Sequence, residues 1–419
     1  MLAAVLLAAA VRPTPSPKPS PKPKIAHSYK TIGRVVSHGR NQNLVGKVPA
    51  ASAGTIDQDQ IKTRPVLRPA EILEAIPGLL ISQHSGEGKA NQYYLRGFQL
   101  DHGTDLESTI AGTPINLPTH AHGQGYSDIN WLMPELVSFV QYAKGPYYAD
   151  TGDFSTAGSY TLYYKNTLDA PLTEFGLGDY GYGNILIAGS PRAGVGNLLY
   201  ALQIYHDNGS FERPDEYAKF NGVLRWSRAA KNSDFSVTAM GYHGTFQSSD
   251  QIPQRLVAAG DLSPFGLIDP FDGGSTYRYS LASQWQHTDP SGVTQVNAFA
   301  FQQYLNLYSD FTYYLDDATD YYNVTRNPIT CAVGYTTCDP GPQHVPSYIS
   351  YCPANDVPGA ARAPVHSVAP VPFTFACGDQ REQLDNRFVS GINASRAFNP
   401  NGKIATTAGL GTRNDNIPT

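Results

Sequence analysis

The sequence predicts a membrane-type antiparallel β-sheet preceded by a small α/β domain, and three observations carry that reading. Charged residues make up 16% of the 419 positions, against about 25% in ordinary soluble domains. Tyr (27) and Gly (39) are abundant instead, which suits strands that face lipid on one side and water on the other, joined by many turns. Beyond residue 165, apolar and polar side chains alternate with the two-residue period of a strand. The net charge of −5, without a basic cluster interleaved with aromatics, argues against a nucleic-acid partner. No run of about 18 apolar residues follows the N-terminus, so no membrane-spanning helix is expected. A spanning barrel is untouched by that argument, because its backbone is satisfied by strand pairing.

The elements follow in chain order. Met1–Val11 is apolar with small residues at Ala8, Ala9 and Ala10, the composition of a signal peptide cleaved near Ala10. The charged leader of such a segment is missing, so the true start is expected upstream; the bland alternative is a disordered apolar tail. Residues 12–30 form a Pro-rich linker, stiff and solvated in the polyproline II manner. Residues 31–66 open with Thr31-Ile-Gly-Arg-Val-Val-Ser-His38, a short extended stretch able to add its backbone to a partner's sheet edge or to serve as a first strand.

From Pro69 the spacing of Ile72, Leu73 and Ile76 predicts a two-turn helix, started by Pro69 and stopped by Pro77-Gly78. Strands are expected at Leu79–Ser82, Tyr93–Phe98 and Leu136–Ala143, with Gly- and Asn-containing loops between them. The order Pro69…Pro77-Gly78, Tyr94-Leu-Arg96-Gly97-Phe98, Ala111-Gly112-Thr-Pro114, then Pro134-Glu135 running to Lys144-Gly145-Pro146 resembles the plug of TonB-dependent outer-membrane receptors. The resemblance implies a plug at 67–165 and a TonB box in Ile32, Gly33, Arg34, Val35 and Val36. It also implies that Arg96, Glu135 and Lys144 help lock plug to barrel. Lys144 stands where the family usually carries Arg, which removes a planar bidentate donor, and Thr156-Ala157-Gly158 replaces the usual glycine pair.

Residues 166–419 are expected to form barrel wall. Leu198, Tyr200, Leu202 and Ile204 alternate with Asn197, Leu199, Ala201 and Gln203; Phe220, Leu224 and Trp226 alternate with Lys219, Asn221, Arg225 and Ser227; Tyr279, Leu281 and Trp285 alternate with Ser280, Ala282 and Gln284. One face is apolar with aromatic ends and the other polar, the pattern of a wall around a wet lumen. A soluble sandwich would turn the apolar face inward, and periodicity alone does not separate the two. Roughly nine or ten spanning strands fit between residue 172 and the end, fewer than half of the about 22 in plugged transporters. A fragment or truncated gene product with an incomplete barrel is therefore expected.

Residues 320–385 read as one Pro-rich loop on the extracellular side, covering the ligand entrance. It holds all four cysteines, Cys331, Cys338, Cys352 and Cys377, whose even count and clustering favour two disulfides in an oxidising compartment. Three connectivities remain open, and the spacing does not fit a zinc site.

The polar segments with most chemistry are Asp101-His102-Gly103 and Thr119-His120-Ala-His122-Gly123. His120 and His122 share a side if extended. With Asp101 and His102 they are candidate ligand-contacting residues; a structural hydrogen-bonding role and direct metal binding are the alternatives. Gly86-Glu87-Gly88-Lys89 lacks the length and hydroxyl residue of a phosphate-binding loop. No catalytic order, nucleotide fingerprint or cofactor motif is present, so an enzyme is not expected. The resemblance implies a receptor of the Gram-negative outer membrane that imports a scarce ligand, most commonly an iron-siderophore. Its partners would be the periplasmic TonB complex, a small molecule or metal chelate, and outer-membrane lipid. The rival reading is a secreted or periplasmic β-rich carbohydrate-binding protein or hydrolase.

Overall fold

A computed structural model describes residues 52–62, 64–83, 86–119, 125–148, 151–249, 251–252, 254–260, 263–267, 272–310, 380–398, 404 and 406–418. The signal-like segment, the linker, the proposed TonB box, His120, His122 and the four cysteines lie outside the described residues.

The N-terminal half of the described chain is small and mixed. β1 (Ala53–Ile56) and a five-residue helix, Gln58–Lys62, precede a 3₁₀ helix at Pro69–Ala75. Next come β2 (Leu79–Ser82), β3 (Gln92–Leu95), β4 (Phe98–Gln99), β5 (Leu106–Ile110) and β6 (Thr113–Pro114). A 3₁₀ turn at Pro134–Leu136 leads into β7 (Val137–Lys144), and β8 (Gly158–Tyr164) closes the domain. A five-stranded sheet has the order β1-β7-β8-β5-β6, with β5 and β8 parallel, and a three-stranded sheet has the order β2-β3-β4.

The segment after Pro69 is helical, but as a tight 3₁₀ turn rather than an α-helix. Glu71 N–H donates to Arg68 O and Ile76 N–H to Leu73 O, both three residues back. Glu71 Oε2 in turn accepts from Leu67 and Arg68 N–H at 2.8 and 3.2 Å. With Pro77 and Gly78 ahead, seven residues leave little room for an α-helical ladder. The single strand expected at Tyr93–Phe98 is instead a hairpin. Arg96 and Gly97 both have positive φ (55° and 81°), as a two-residue type I′ turn requires. Ala111 and Gly112 (48° and 78°) make the same turn between β5 and β6.

The remainder is one ten-stranded sheet: β9 (Leu172–Leu177), β10 (Gly183–Gly189), β11 (Arg192–Ala193), β12 (Gly196–Asp207), β13 (Tyr217–Ala229), β14 (Ser233–Gln247), β15 (Gly273–Asp289), β16 (Gly292–Asp310), β17 (Gln380–Phe398) and β18 (Thr406–Asn416). Every pairing in it is antiparallel between sequence neighbours, apart from the short β11, which pairs with β12 beside the β10–β12 pair. β15 to β17 run to 17–19 residues, longer than the 9–11 with which a tilted strand can cross a bilayer. β17 begins at Gln380, within the span read as loop.

The wall is apolar outside and polar inside. Phe175, Leu202, Ile204, Phe220, Leu224, Tyr279, Leu281, Trp285, Leu384 and Ile392 are exposed, while Gln203, Lys219, Asn221, Arg225, Thr238, Arg278, Gln303 and Arg387 are buried. A soluble sandwich does the reverse. The buried face is covered by the plug, whose core (Ile72, Leu73, Tyr93, Ile110, Ile129, Leu132, Met133, Leu162) continues into Leu186, Leu199, Ala201, Val223 and Met240 of the wall. Consecutive strands alternate in direction, so the connection 208–216 falls at the rim where β14 and β16 end and β15 and β17 begin, here the long-loop rim. At the opposite, short-turn rim lie the short connections 190–195, 230–232 and 290–291.

Candidate functional site

Plug and wall meet along a belt supplied by one cross-strand row. Gln203, Asn221, Tyr242, Arg278, Gln303 and Arg387 are successive register partners from β12 to β17. Direct partners in an antiparallel sheet point to the same face, and all six are buried against the plug.

Three of these donate to backbone carbonyls of the plug. Asn221 Nδ2 donates to Trp131 O, Arg278 Nη2 to Pro114 O at 3.1 Å, and Arg387 Nη2 to Thr119 O. Neighbouring rows add Lys219 Nζ to Asn130 O at 3.2 Å and Arg413 Nη1 to Asn116 O at 2.9 Å. Arg225 Nε reaches Asn166 Oδ1, just after β8, at 3.2 Å. The reason lies in the plug's local structure. Between β6 and β7 the described residues hold little strand, a Leu117–Tyr126 bridge and the Pro134–Leu136 turn. Carbonyls there need acceptor-satisfying partners from elsewhere, and the wall supplies them.

The charges are unevenly matched. Arg387 pairs with Asp385 at 2.6 Å, and Arg413 with Asp415 at 2.6 Å, within the wall itself. Lys219, Arg225 and Arg278 make no ion pair among the described residues. Aromatic faces partly replace one: Lys219 Nζ lies 4.8 Å from the Tyr205 ring, and the Arg278 guanidinium 3.8 Å from Phe301 and 5.4 Å from Trp131. A plug acid that feels both Arg278 and Lys219 is Asp128. Its Oδ1 accepts Asn130 N–H at 2.8 Å, and its buried Oδ2 has no hydrogen-bond partner among the described residues. Burial pushes its carboxyl up to about 6, against the pull of the Asn130 N–H, Arg278 and Lys219.

Toward the short-turn rim the seam changes character. A cavity of about 200 Å³ separates β1, β5, β7 and β8 from the wall, lined by Thr55, Gln141, Tyr142, Gln284, Gln295 and Asn393 among others. Amides and hydroxyls dominate, and no wall cation lines it.

The residues singled out from sequence are dispersed. His102 is buried within the plug, its Nδ1 3.1 Å from Asn91 O and its ring 5.6 Å from that of Tyr126. Asp101 has positive φ and lies 3.7 Å from His102 Nε2. Arg96 is exposed at its hairpin turn, not on a strand. Lys144 is buried with its Nζ 5.4 Å from the Tyr142 ring, and burial, with Arg96 nearby, lowers its ammonium below the ordinary range. Glu135 is half-buried and its carboxyl raised by that burial; its backbone oxygen accepts Lys165 Nζ at 2.6 Å. No ion pair joins Arg96, Glu135 and Lys144 among the described residues. Sequence reasoning missed that the contacts to the wall run through plug carbonyls. Lys219, Asn221 and Arg225 had been placed on the polar face, but an acceptor carbonyl leaves no signature in side-chain type.

Residues 47–159 match the family model described as TonB-dependent Receptor Plug Domain. The domain at those residues is a plug of the TonB-dependent receptor type. Solved structures of such receptors share the chain's fold. The unliganded ferric citrate transporter FecA matches with a TM-score of 0.57 at 12% identity, covering 86% of this chain and 46% of that one. The copper transporter OprC matches at 0.53 and 12%, covering 87% and 46%. FpvA of P. aeruginosa, bound to a heterologous pyoverdine with iron, matches at 0.53 and 13%, covering 86% and 41%. The plug-bearing chain thus spans about half the length of the solved structures it matches.

Proposed function

We propose that this plug and wall belong to an outer-membrane importer of a metal chelate, an iron-siderophore being the leading candidate. The observation that carries the reading is the inside-out wall: apolar aromatics outside, and a buried polar belt that holds a plug by its backbone. Such a belt holds the plug without consuming its side chains, so the apical loops are left to meet a ligand. The outer membrane has no energy source of its own, and a ligand bound tightly outside would stay there without external work. Ile32–Val36 is the segment proposed to receive that work from the TonB complex by strand addition. Asp101, His102, His120 and His122 are the proposed plug contacts for ligand, and Cys331, Cys338, Cys352 and Cys377 the proposed staples of the loop above.

Deleting Ile32–Val36 in cells energised for uptake is expected to abolish import of ferric siderophore while surface binding persists. Unchanged import would refute the assignment. Recovery of the protein in the soluble periplasmic fraction, rather than with detergent-extracted outer membrane, would favour the secreted carbohydrate-binding alternative.

A further inference from the structure

We propose that the Gly86–Lys89 loop of the plug and Asp215 of the long-loop rim form a proton-gated latch on the plug apex. Its consequence for transport rests on the importer reading above; the latch itself does not.

The loop that fails as a phosphate cradle is an apical contact of the plug with the wall. Glu87 N–H donates to Asp215 Oδ2 at 3.3 Å, and Lys89 Nζ to Ser309 Oγ at 3.1 Å at the end of β16. Asn130 Nδ2 fastens the loop from below through Gly88 O and Lys89 O, at 3.2 and 2.9 Å. Gly88, at φ +90°, presses on the Phe246 side chain so closely that a Cβ would lie 2.2 Å from a ring carbon. One plug loop therefore touches the β12–β13 connection, β14 and β16.

Two carboxylates meet in this contact, Glu87 on the plug and Asp215 on the wall, 6% and 3% exposed. Backbone hems Asp215 on both sides: Cβ atoms at Gly86 and Gly209 would fall 2.8 and 2.5 Å from its oxygens. Asp207, at the end of β12, adds a third negative charge, itself tied to Tyr205 OH at 3.2 Å and Gly209 N–H at 2.8 Å. The positive charges facing the group are Arg68, whose Nε lies 2.7 Å from Glu87 Oε1, and the buried Lys219, on which Glu87 acts. In Asp215's own loop, Arg213 donates to Asp272 O at 3.3 Å, and the Glu216 carboxylate accepts from Gln247. Burial, with Glu87 and Asp207 adding to it, raises the Asp215 carboxyl to about 7.

The sign follows from linkage. The seated loop holds a proton that the released loop gives up, so seating is strongest below the ordinary carboxylate range and weakens as pH rises through about 7. On ionisation the proton passes to water and leaves the Asp215 and Glu87 carboxylates, with Asp207 beside them, facing the Arg68 guanidinium and the Lys219 ammonium. Acid closes the latch and neutral-to-alkaline medium loosens it.

The test is amide hydrogen exchange of the full chain in detergent micelles, following the peptide that holds residues 86–90 at pH 5 and pH 8 after correction for intrinsic exchange. Protection should fall about tenfold or more, the equivalent of one unit of differential protonation. Asp215→Asn, which keeps an acceptor for Glu87 N–H, should flatten the pH dependence, and so should Glu87→Gln. Equal corrected protection at both pH values in the wild type would overturn the latch, as would full pH dependence in both variants. No ligand or energy source enters the measurement, so failure here leaves import untouched, and failure of import leaves the latch standing.

Discussion

The plug is held differently at its two ends. Near the long-loop rim, buried wall cations and an amide donate into plug carbonyls. Near the short-turn rim, mainly amides and hydroxyls, with Glu107 and no cation, line a cavity of about 200 Å³. Hydrogen bonds from charged donors are roughly twice as strong as neutral ones, and a buried cation that loses its acceptor has no water to replace it. The upper seam therefore resists displacement and the lower one does not. In the importer proposed above, that asymmetry would let the plug stay put at rest and yet move under load.

The comparison breaks most readily at Arg278. Arg278→Ala removes the donor to Pro114 O and Gln303 and empties the space over Phe301. The expected loss of stability is about 3–5 kcal/mol, two hydrogen bonds from a charged donor at roughly 1.5–3 kcal/mol each, read as a drop in urea midpoint by Trp fluorescence. A second break is chemical. Asp128 sits with its carboxyl raised to about 6, so its contribution is fully present below about pH 4 and is lost as pH rises through about 6. Wild-type stability should fall by on the order of 2 kcal/mol across that window, and Asp128→Asn should flatten the curve.

Asn221→Ala tests a single neutral donor of the belt. Leaving Trp131 O without it should cost about 1–3 kcal/mol, measured by the same denaturation. Gln295→Ala, in the lower cavity, should fall within about 0.5 kcal/mol of wild type. A loss at Gln295 as large as at Asn221 would erase the contrast between the two seams.

Much of this was legible in the sequence because period-two alternation is a local signal. Phe220 and Leu224 against Lys219, Asn221 and Arg225 marked the exposed face and the buried face in advance. Pro77-Gly78 marked a real stop, and Leu79–Ser82 is the strand expected. The errors lay where backbone chemistry decides. Arg96-Gly97 looked like the middle of a strand, since only dihedral angles distinguish a run-through from an I′ turn. The parallel strand pair β5–β8 joins residues about 50 positions apart, and no local pattern announces it. Arg96, Glu135 and Lys144 drew attention as charges on plug segments, whereas the observed clamp uses wall cations and plug carbonyls. Register across six strands built that clamp, and register is a property of the sheet.

Strand order in the plug also sets a sequence of mechanical failure. β1 lies at the sheet edge and is joined to β7 over only four residue pairs, Ala53–Ala143 to Ile56–Val140. Tension on the leading end of β1 peels those pairs one at a time, starting at Ala53. β8 is flanked by β7 and β5 and runs on toward the wall, so it bears load only after β1 has gone. A pull from the N-terminal side thus meets its weakest element first, and that element is one wall of the lower cavity.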